Sequence, residues 1–225
     1  MKKVYLETYG CQMNVSDSER ISSTLASRGY EMTNIEDDAD VVIFNTCSVR
    51  EKAEQKLYTR VGHLRHSDRP KPIVGVMGCV AQLEGETLFS KIEGVDFVLG
   101  TQAVGRVADA IAKTLSTDEA IVDLGDREAD YDWTVADKHR HSPYIAFLPI
   151  IEGCNKFCTY CIVPFSRGRE RSFLASEIIR QVLELRRNGV REVHLIGQNV
   201  NSYRPDNDSG LEGFEGKSAF SKLLR

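Results

Sequence analysis

The segment Ala39-Asp40-Val41-Val42-Ile43-Phe44-Asn45-Thr46-Cys47 carries four apolar residues in a row, three of them β-branched. A strand with one wet face alternates apolar and polar residues. A continuous run from Val41 to Phe44 instead reads as a strand buried on both faces, the signature of a parallel sheet covered by helices. Working outward, Lys3–Tyr9 is a strand candidate that runs into Gly10-Cys11, Ile73–Met77 is another that runs into Gly78-Cys79, and Val95–Leu99 is a fourth. Helical patterns fill the gaps. Ser16-Asp17-Ser18-Glu19 reads as a capping box opening a helix that carries Ile21 and Leu25 and closes at Gly29. A second helix, from about Val49 to His66, spaces Ala53, Leu57, Val61 and Leu64 along one face and leaves at Pro70 and Pro72; a later one aligns Val107, Ile111 and Leu115. Strands alternating with helices predict an α/β domain with a parallel sheet and right-handed crossovers.

Such sheets bind ligands beyond the carboxyl ends of their strands. Cys11, Cys47 and Cys79 each follow a strand candidate, so three thiols far apart in sequence are expected at one sheet edge, as a three-thiolate metal site. The alternative is that each is a small buried hydrophobe. The outline is Rossmann-like, yet the turn after the first strand, Gly10-Cys11-Gln12-Met13-Asn14, lacks the G-x-G-x-x-G pattern that cradles a pyrophosphate, which argues against a nicotinamide cofactor.

Another trio is compact. The apolar run Tyr144–Ile151 reads as a buried strand ending at Gly153, and Cys154-Asn155-Lys156-Phe157-Cys158-Thr159-Tyr160-Cys161 follows as a CxxxCxxC loop. Three thiolates hold three irons of a cubane cluster and leave the fourth open to a non-protein ligand. A closed zinc site ordinarily takes four ligands, and no histidine lies within a few residues of Cys161. Downstream come Arg167, Arg169 and Arg171 in one loop, a helix from about Ala175 to Asn188 with Ile178, Val182 and Leu185 on one side, and a strand at Glu192–Ile196 leading into Gly197-Gln198-Asn199. Residues 1–116 form one predicted domain and 143–225 the start of another. The acidic, irregular stretch 117–142 is expected to be a linker with a short strand at Ala120–Leu124. In it Trp133 reads as an interface anchor and His139 and His141 as solvated loop residues.

Composition bounds the rest. The chain has 225 residues, 41% of them hydrophobic, enough for one large core or two modest ones. No apolar run approaches the roughly 18 residues of a membrane span, and no charged-apolar leader opens the sequence, so a cytoplasmic protein without membrane contact is expected. Six cysteines in a reducing compartment favour metal or redox chemistry over disulfides. The formal charge of −4 gives no global attraction to nucleic acid, which leaves local basic patches to do so.

Taken together, Tyr9-Gly10-Cys11-Gln12-Met13-Asn14, Asn45-Thr46-Cys47-Ser48-Val49-Arg50, Gly78-Cys79 and the stretch from Gly153-Cys154-Asn155 to Cys161-Ile162-Val163-Pro164 resemble the radical S-adenosylmethionine (SAM) methylthiotransferases along the whole chain and through all six cysteines. Cys11–Asn14 and the arginine-rich Ser166–Ser172 look most like the tRNA-modifying branch. The resemblance implies a Rossmann-like domain followed by the first part of a radical SAM barrel of partial TIM type. It implies two 4Fe–4S clusters, one on Cys154, Cys158 and Cys161 that binds and cleaves SAM, and an auxiliary one on Cys11, Cys47 and Cys79. It further implies SAM contacts at Tyr160, Gly197, Gln198 and Asn199, and RNA phosphate contacts at Arg167, Arg169 and Arg171, with Glu170 an alternative ion-pair partner for those arginines. The implied reaction is methylthiolation of carbon 2 of N6-isopentenyladenosine beside a tRNA anticodon. A reductant protein such as flavodoxin or ferredoxin, a sulfur donor and a monomeric state go with it. Alternatives are a ribosomal-protein aspartate or threonylcarbamoyl-adenosine as substrate, or a zinc-stabilised nucleic-acid-binding module without catalysis. Family members continue through a complete barrel and a TRAM domain, so this chain alone is expected to be inactive, with its last strand an unpaired edge.

Overall fold

The computed structural model describes residues 1–48, 51–66, 70–117, 119–126, 135 and 139–225, with backbone only for residues 51–54. Val49, Arg50, Trp133 and the Ala53 side chain, all read above, lie outside the described set, as does part of the acidic stretch 117–142. The chain divides into two compact units, Met1–Val135 and Ala136–Arg225.

The first unit is built on six strands: β1 Lys3–Tyr9, β2 Glu31–Thr33, β3 Val41–Thr46, β4 Ile73–Gly78, β5 Phe97–Leu99 and β6 Ile121–Asp123. Every pairing is parallel, in the order β2-β1-β3-β4-β5-β6. Helices α1 Gln12–Ser27, α2 Glu51–Arg65, α3 Cys79–Glu84, α4 Thr87–Lys91 and α5 Val107–Thr117 occupy the connections. β3 accounts for the continuous apolar run Val41–Phe44. Val41 and Ile43 pack with Ile21, Leu25 and Ile111, from α1 and α5, while Val42 and Phe44 pack with Leu57, Val61 and Leu64 of α2. Alternate side chains of one strand thus serve two cores, and each fully buried aliphatic or aromatic chain contributes about 1.5–3 kcal/mol relative to exposure.

Several expectations shift. α1 begins at Gln12 rather than near Ser16, because Asn14 caps the preceding turn by accepting the Cys11 N–H at 3.3 Å. Ser16, Asp17, Ser18 and Glu19 consequently lie inside the helix and are buried, not at its mouth. Leu115, aligned with Val107 and Ile111 in the sequence, is exposed at the end of α5. The short strand near 120–124 is β6, which pairs with β5 as the outermost strand of this sheet. The three-residue β2 and the short α3 and α4 carry too little periodicity to be read from sequence. Among the described residues, no helix is long and apolar enough to cross a membrane.

The second unit pairs β7 Ile145–Pro149 with β10 Glu192–Ile196 in parallel, with α7 Ala175–Arg187 in the crossover. Ala146 of β7, Leu185 of α7 and Val190 form a small buried cluster under this pair. The apolar run Tyr144–Ile151 is not one strand. It breaks at Ile150, whose N–H still reaches Ile196 O at 3.0 Å, and resumes as β8 Ile151–Glu152, which pairs antiparallel with β9 Arg171–Ser172. Short helices α6 Val163–Ser166 and α8 Ala219–Leu223 complete the unit. β10 has a partner in β7; its other edge has none among the described residues.

Candidate metal centres at two strand ends

In the first unit the pairing registers align Tyr9 with Thr46 and Thr46 with Gly78 across β1, β3 and β4. Cys47 and Cys79 are the next residues after Thr46 and Gly78, and Cys11 stands two beyond Tyr9. Neighbouring strands lie about 4.8 Å apart, so three adjacent strand ends leave the sheet within about 10 Å of one another. The Cys47 N–H extends the ladder to Tyr9 O at 2.8 Å. Gly78 turns β4 into α3 at φ 92° and ψ −155°, which β-carbon-bearing residues rarely adopt. Cys47 and Cys79 are buried, Cys11 is exposed, and none of the three is in a disulfide.

Behind these turns lies a polar network. Asn14 Oδ1 accepts from the Cys11 N–H and from its Sγ, at 3.3 and 3.4 Å. Asn14 Nδ2 donates to Asn45 Oδ1 at 3.1 Å, and Asn45 Nδ2 donates to Asn14 O and Ser18 Oγ, both at 2.9 Å. Ser18 Oγ and Thr8 Oγ1 share a hydrogen bond of 2.7 Å. Sequence reasoning noted Asn14 and Asn45 only as part of a motif. An amide at the end of an otherwise apolar buried strand was the available signal, since such a group must find partners.

In the second unit, the β8–β9 pair closes the cysteine loop at its base. Gly153, at φ 69°, brings the chain against the carbonyl of Arg169, and an added β-carbon would lie 2.5 Å from that carbonyl carbon. Cys154 N–H donates to Gly168 O at 3.1 Å, Cys161 N–H to Cys158 O at 2.9 Å, and Glu170 N–H to Asn155 Oδ1 at 3.1 Å. Cys154 is buried, Cys161 half-buried and Cys158 exposed. Phe157 adopts a left-handed φ of 47° and meets Phe165 edge to face, with ring centroids 6.3 Å apart. Tyr160 is 90% exposed.

The structure separates the other sequence candidates. Gly197, at the end of β10, lies against Ile151, so tightly that a β-carbon would sit 2.7 Å from Ile151 O. This brings the Gly197-Gln198-Asn199 turn to the base of the cysteine loop. Gln198 buries its Oε1, whereas Asn199 Nδ2 donates to Ser202 Oγ at 2.7 Å within the turn itself. Tyr203 Oη donates to Phe173 O at 2.8 Å and Arg204 N–H to Ser172 Oγ at 2.9 Å, tying the turn to the strand that closes the loop. Arg169 and Arg171 are exposed, but Arg167 is only 4% exposed. Arg167, at the carboxyl end of α6, thus differs from the other two in being buried.

The chemistry of both trios fits iron–sulfur ligation, with thiols outside any disulfide on adjacent backbone turns. Among the described residues, no three His, Cys, Asp or Glu side chains converge on a single ion. Ligands of a cubane bind separate irons and stand farther apart than ligands sharing one ion.

Comparison with known proteins adds the following. Residues 3–100 match the uncharacterized protein family UPF0004, and residues 148–212 match the radical SAM superfamily. The tRNA-2-methylthio-N(6)-dimethylallyladenosine synthase of Thermosipho melanesiensis is 43% identical over 224 residues, which is 100% of this chain and 49% of that protein. The enzyme of the same name from Koribacter versatilis is 41% identical over 202 residues, 90% of this chain and 46% of that protein. The chain thus spans about half the length of the curated relatives it matches. Among solved structures, the cobalamin-dependent S-adenosylmethionine radical enzyme OxsB, with aqua-cobalamin and S-adenosylmethionine bound, aligns at a TM-score of 0.56 and 14% identity. That alignment covers 97% of this chain and 38% of OxsB, and it supports a shared fold.

Proposed function

We propose that this chain, matched by UPF0004 over residues 3–100 and by the radical SAM superfamily over residues 148–212, belongs with the radical SAM methylthiotransferases and is the cluster-binding part of an enzyme modifying tRNA. The reaction is methylthiolation of carbon 2 of N6-isopentenyladenosine next to the anticodon, with SAM as both radical source and methyl donor. The observations that carry this reading are the three adjacent parallel strand ends that lead into Cys11, Cys47 and Cys79 in the first unit and, separately, the closed loop that bears Cys154, Cys158 and Cys161 in the second. An aromatic C–H offers no acidic proton to an ordinary base, so the reaction calls for one-electron chemistry.

Cys154, Cys158 and Cys161 would hold one 4Fe–4S cluster and Cys11, Cys47 and Cys79 an auxiliary one; when bound, they supply one-electron cleavage of SAM and a site for sulfur. The chain's own residues orient the partners. The β8–β9 pair and the Cys154–Gly168 bond fix the cysteine loop. Tyr160 offers an exposed ring to SAM, and the Gly197–Asn199 turn borders the same loop, with Gln198 directed inward. Arg169 and Arg171 remain as contacts for RNA phosphates. A reductant protein such as flavodoxin or ferredoxin, a sulfur donor, a monomeric state and a cytoplasmic setting complete the proposal.

Anaerobic reconstitution followed by iron, sulfide and zinc analysis tests it. Two clusters are expected in the intact chain and one in each triple Cys→Ala variant; stoichiometric zinc without sulfide overturns the reading. Incubating a full-length relative with isopentenylated tRNA, threonylcarbamoylated tRNA or ribosomal protein, and looking for the added methylthio mass, separates the substrates.

A further inference from the structure

From the network behind the first trio, we infer that Asn14 and Asn45 form a buried amide bridge that positions the three cysteine turns before anything binds to them. The three turns come from separate segments of the chain: the first turn of α1, the end of β3, and the glycine turn between β4 and α3. The paired registers end at Tyr9, Thr46 and Gly78, with one further backbone bond from the Cys47 N–H to Tyr9 O, so the turns beyond them need another brace.

The bridge reaches all of them. Asn14 is 0% exposed and Asn45 1% exposed. Asn14 takes both the N–H and the thiol of Cys11 on one oxygen, and gives its amide N–H to Asn45. Asn45 returns two bonds to α1, at Asn14 O and Ser18 Oγ, and stands two residues before Cys47 on the same strand. Asn45 Oδ1 also closes on Gly78, where an added β-carbon would strike it and would come within 2.7 Å of Thr46 O. Burying an amide without partners costs about 1–3 kcal/mol, so a pair whose groups are matched to each other resists any shift of one turn relative to the next. A purely packing role would be filled as well by apolar side chains. A bond to the cysteine itself would not.

Only the loaded-site part of this inference rests on the cluster reading above. The test therefore has a metal-free arm and a loaded arm. Asn14→Asp keeps the oxygen facing Cys11 but replaces the donor that meets Asn45. Asn45→Ser removes the far side of the bridge without touching Cys11, and Asn45→Asp is the second variant at that position should the first fail to fold. In the metal-free chain, hydrogen exchange is followed by mass spectrometry in peptides covering residues 10–16 and 77–82. Loss of one buried bond predicts about fivefold faster exchange in both peptides for both substitutions.

In the loaded arm, Cys154, Cys158 and Cys161 are replaced by alanine and the remaining site is reconstituted anaerobically. The expected result is an altered electron paramagnetic resonance spectrum of the reduced cluster and about fivefold faster iron loss to a chelator in either variant. A merely structural role would lower stability yet leave the spectrum of the folded protein unchanged. The inference is overturned if, in folded variants, faster exchange stays within the mutated segment and the spectrum matches that of the parent. Failure of the parent to take up iron and sulfide would count against the cluster reading instead, with the exchange arm still deciding whether the bridge couples the turns.

Discussion

Replacing Gly78 by alanine asks whether the sheet edge tolerates any change at the turn before Cys79. Two costs add. At φ 92° and ψ −155° an L-residue sits in a region almost reserved for glycine, at a cost of about 1–3 kcal/mol. The new β-carbon would also press on Asn45 Oδ1, which accepts from Asn14 Nδ2, and stand 2.7 Å from Thr46 O, both on buried residues, and overpacking of this kind costs about 1–3 kcal/mol. A total near 4 kcal/mol corresponds to a fall of about 10 °C in Tm for a chain of this size. Gly62→Ala is the matched control. Gly62 lies inside α2 with open space around it, so the same substitution there should stabilise by about 0.5–1 kcal/mol. Thermal and urea unfolding followed by circular dichroism reads both. The reasoning is refuted if Gly78→Ala lies within 1 kcal/mol of the parent, or if both substitutions shift stability in the same direction.

Three further outcomes are expected. Asp123 ends β6 in a two-pronged pair with Arg106, Oδ2 to Nε at 2.5 Å and Oδ1 to Nη2 at 2.9 Å; the guanidinium holds its carboxyl below the usual carboxylate range. Because the folded pKa is depressed, that contribution is present above about pH 4 and is lost as pH falls further, and with the pair partly exposed Asp123→Asn should cost only about 1 kcal/mol in urea titrations at pH 7 and remove this part of the acid sensitivity. Burial pushes the Tyr203 hydroxyl up to about 12, so the folded state keeps a proton that the unfolded chain releases near pH 10, and stability should decline between those values; Tyr203→Phe should flatten that alkaline limb and cost about 1–3 kcal/mol at pH 7 by orphaning Phe173 O. Arg169→Ala with Arg171→Ala should weaken tRNA binding and reduce the slope of log K against log salt by about 1.4–1.8, whereas Arg167→Ala should lower stability and leave that slope unchanged.

What the sequence revealed, and what it concealed, follows from the range of the forces. β3 and β4 were legible because near-continuous apolar runs have few alternatives to a doubly covered strand, while β1, a mixed Lys3–Tyr9 stretch, showed only as a short strand candidate running into Gly10-Cys11; with the three came the alignment of the cysteines. The start of α1 was misread because Asn14 caps backward onto a cysteine, while Ser16-Asp17-Ser18-Glu19 imitates a helix mouth within the helix body. Ile150 hid the break between β7 and β8: the break depends on a hydrogen bond to Ile196 and on the partner strand β9, neither of them local in sequence. Arg167, Arg169 and Arg171 look equivalent as a spaced series, and only α6 distinguishes the buried one.

The two trios differ in what must exist before they can work. Cys154, Cys158 and Cys161 sit on one closed loop, which a nascent chain can shape soon after β9 is made. Cys11, Cys47 and Cys79 become neighbours only when β1, β3 and β4 have all paired, so nothing can be gripped there until the sheet has formed through its fourth strand in sequence. A cluster bound there, as proposed, would therefore report on the fold itself: its capture would stabilise the assembled sheet over the open chain, and its release would accompany unfolding of that edge.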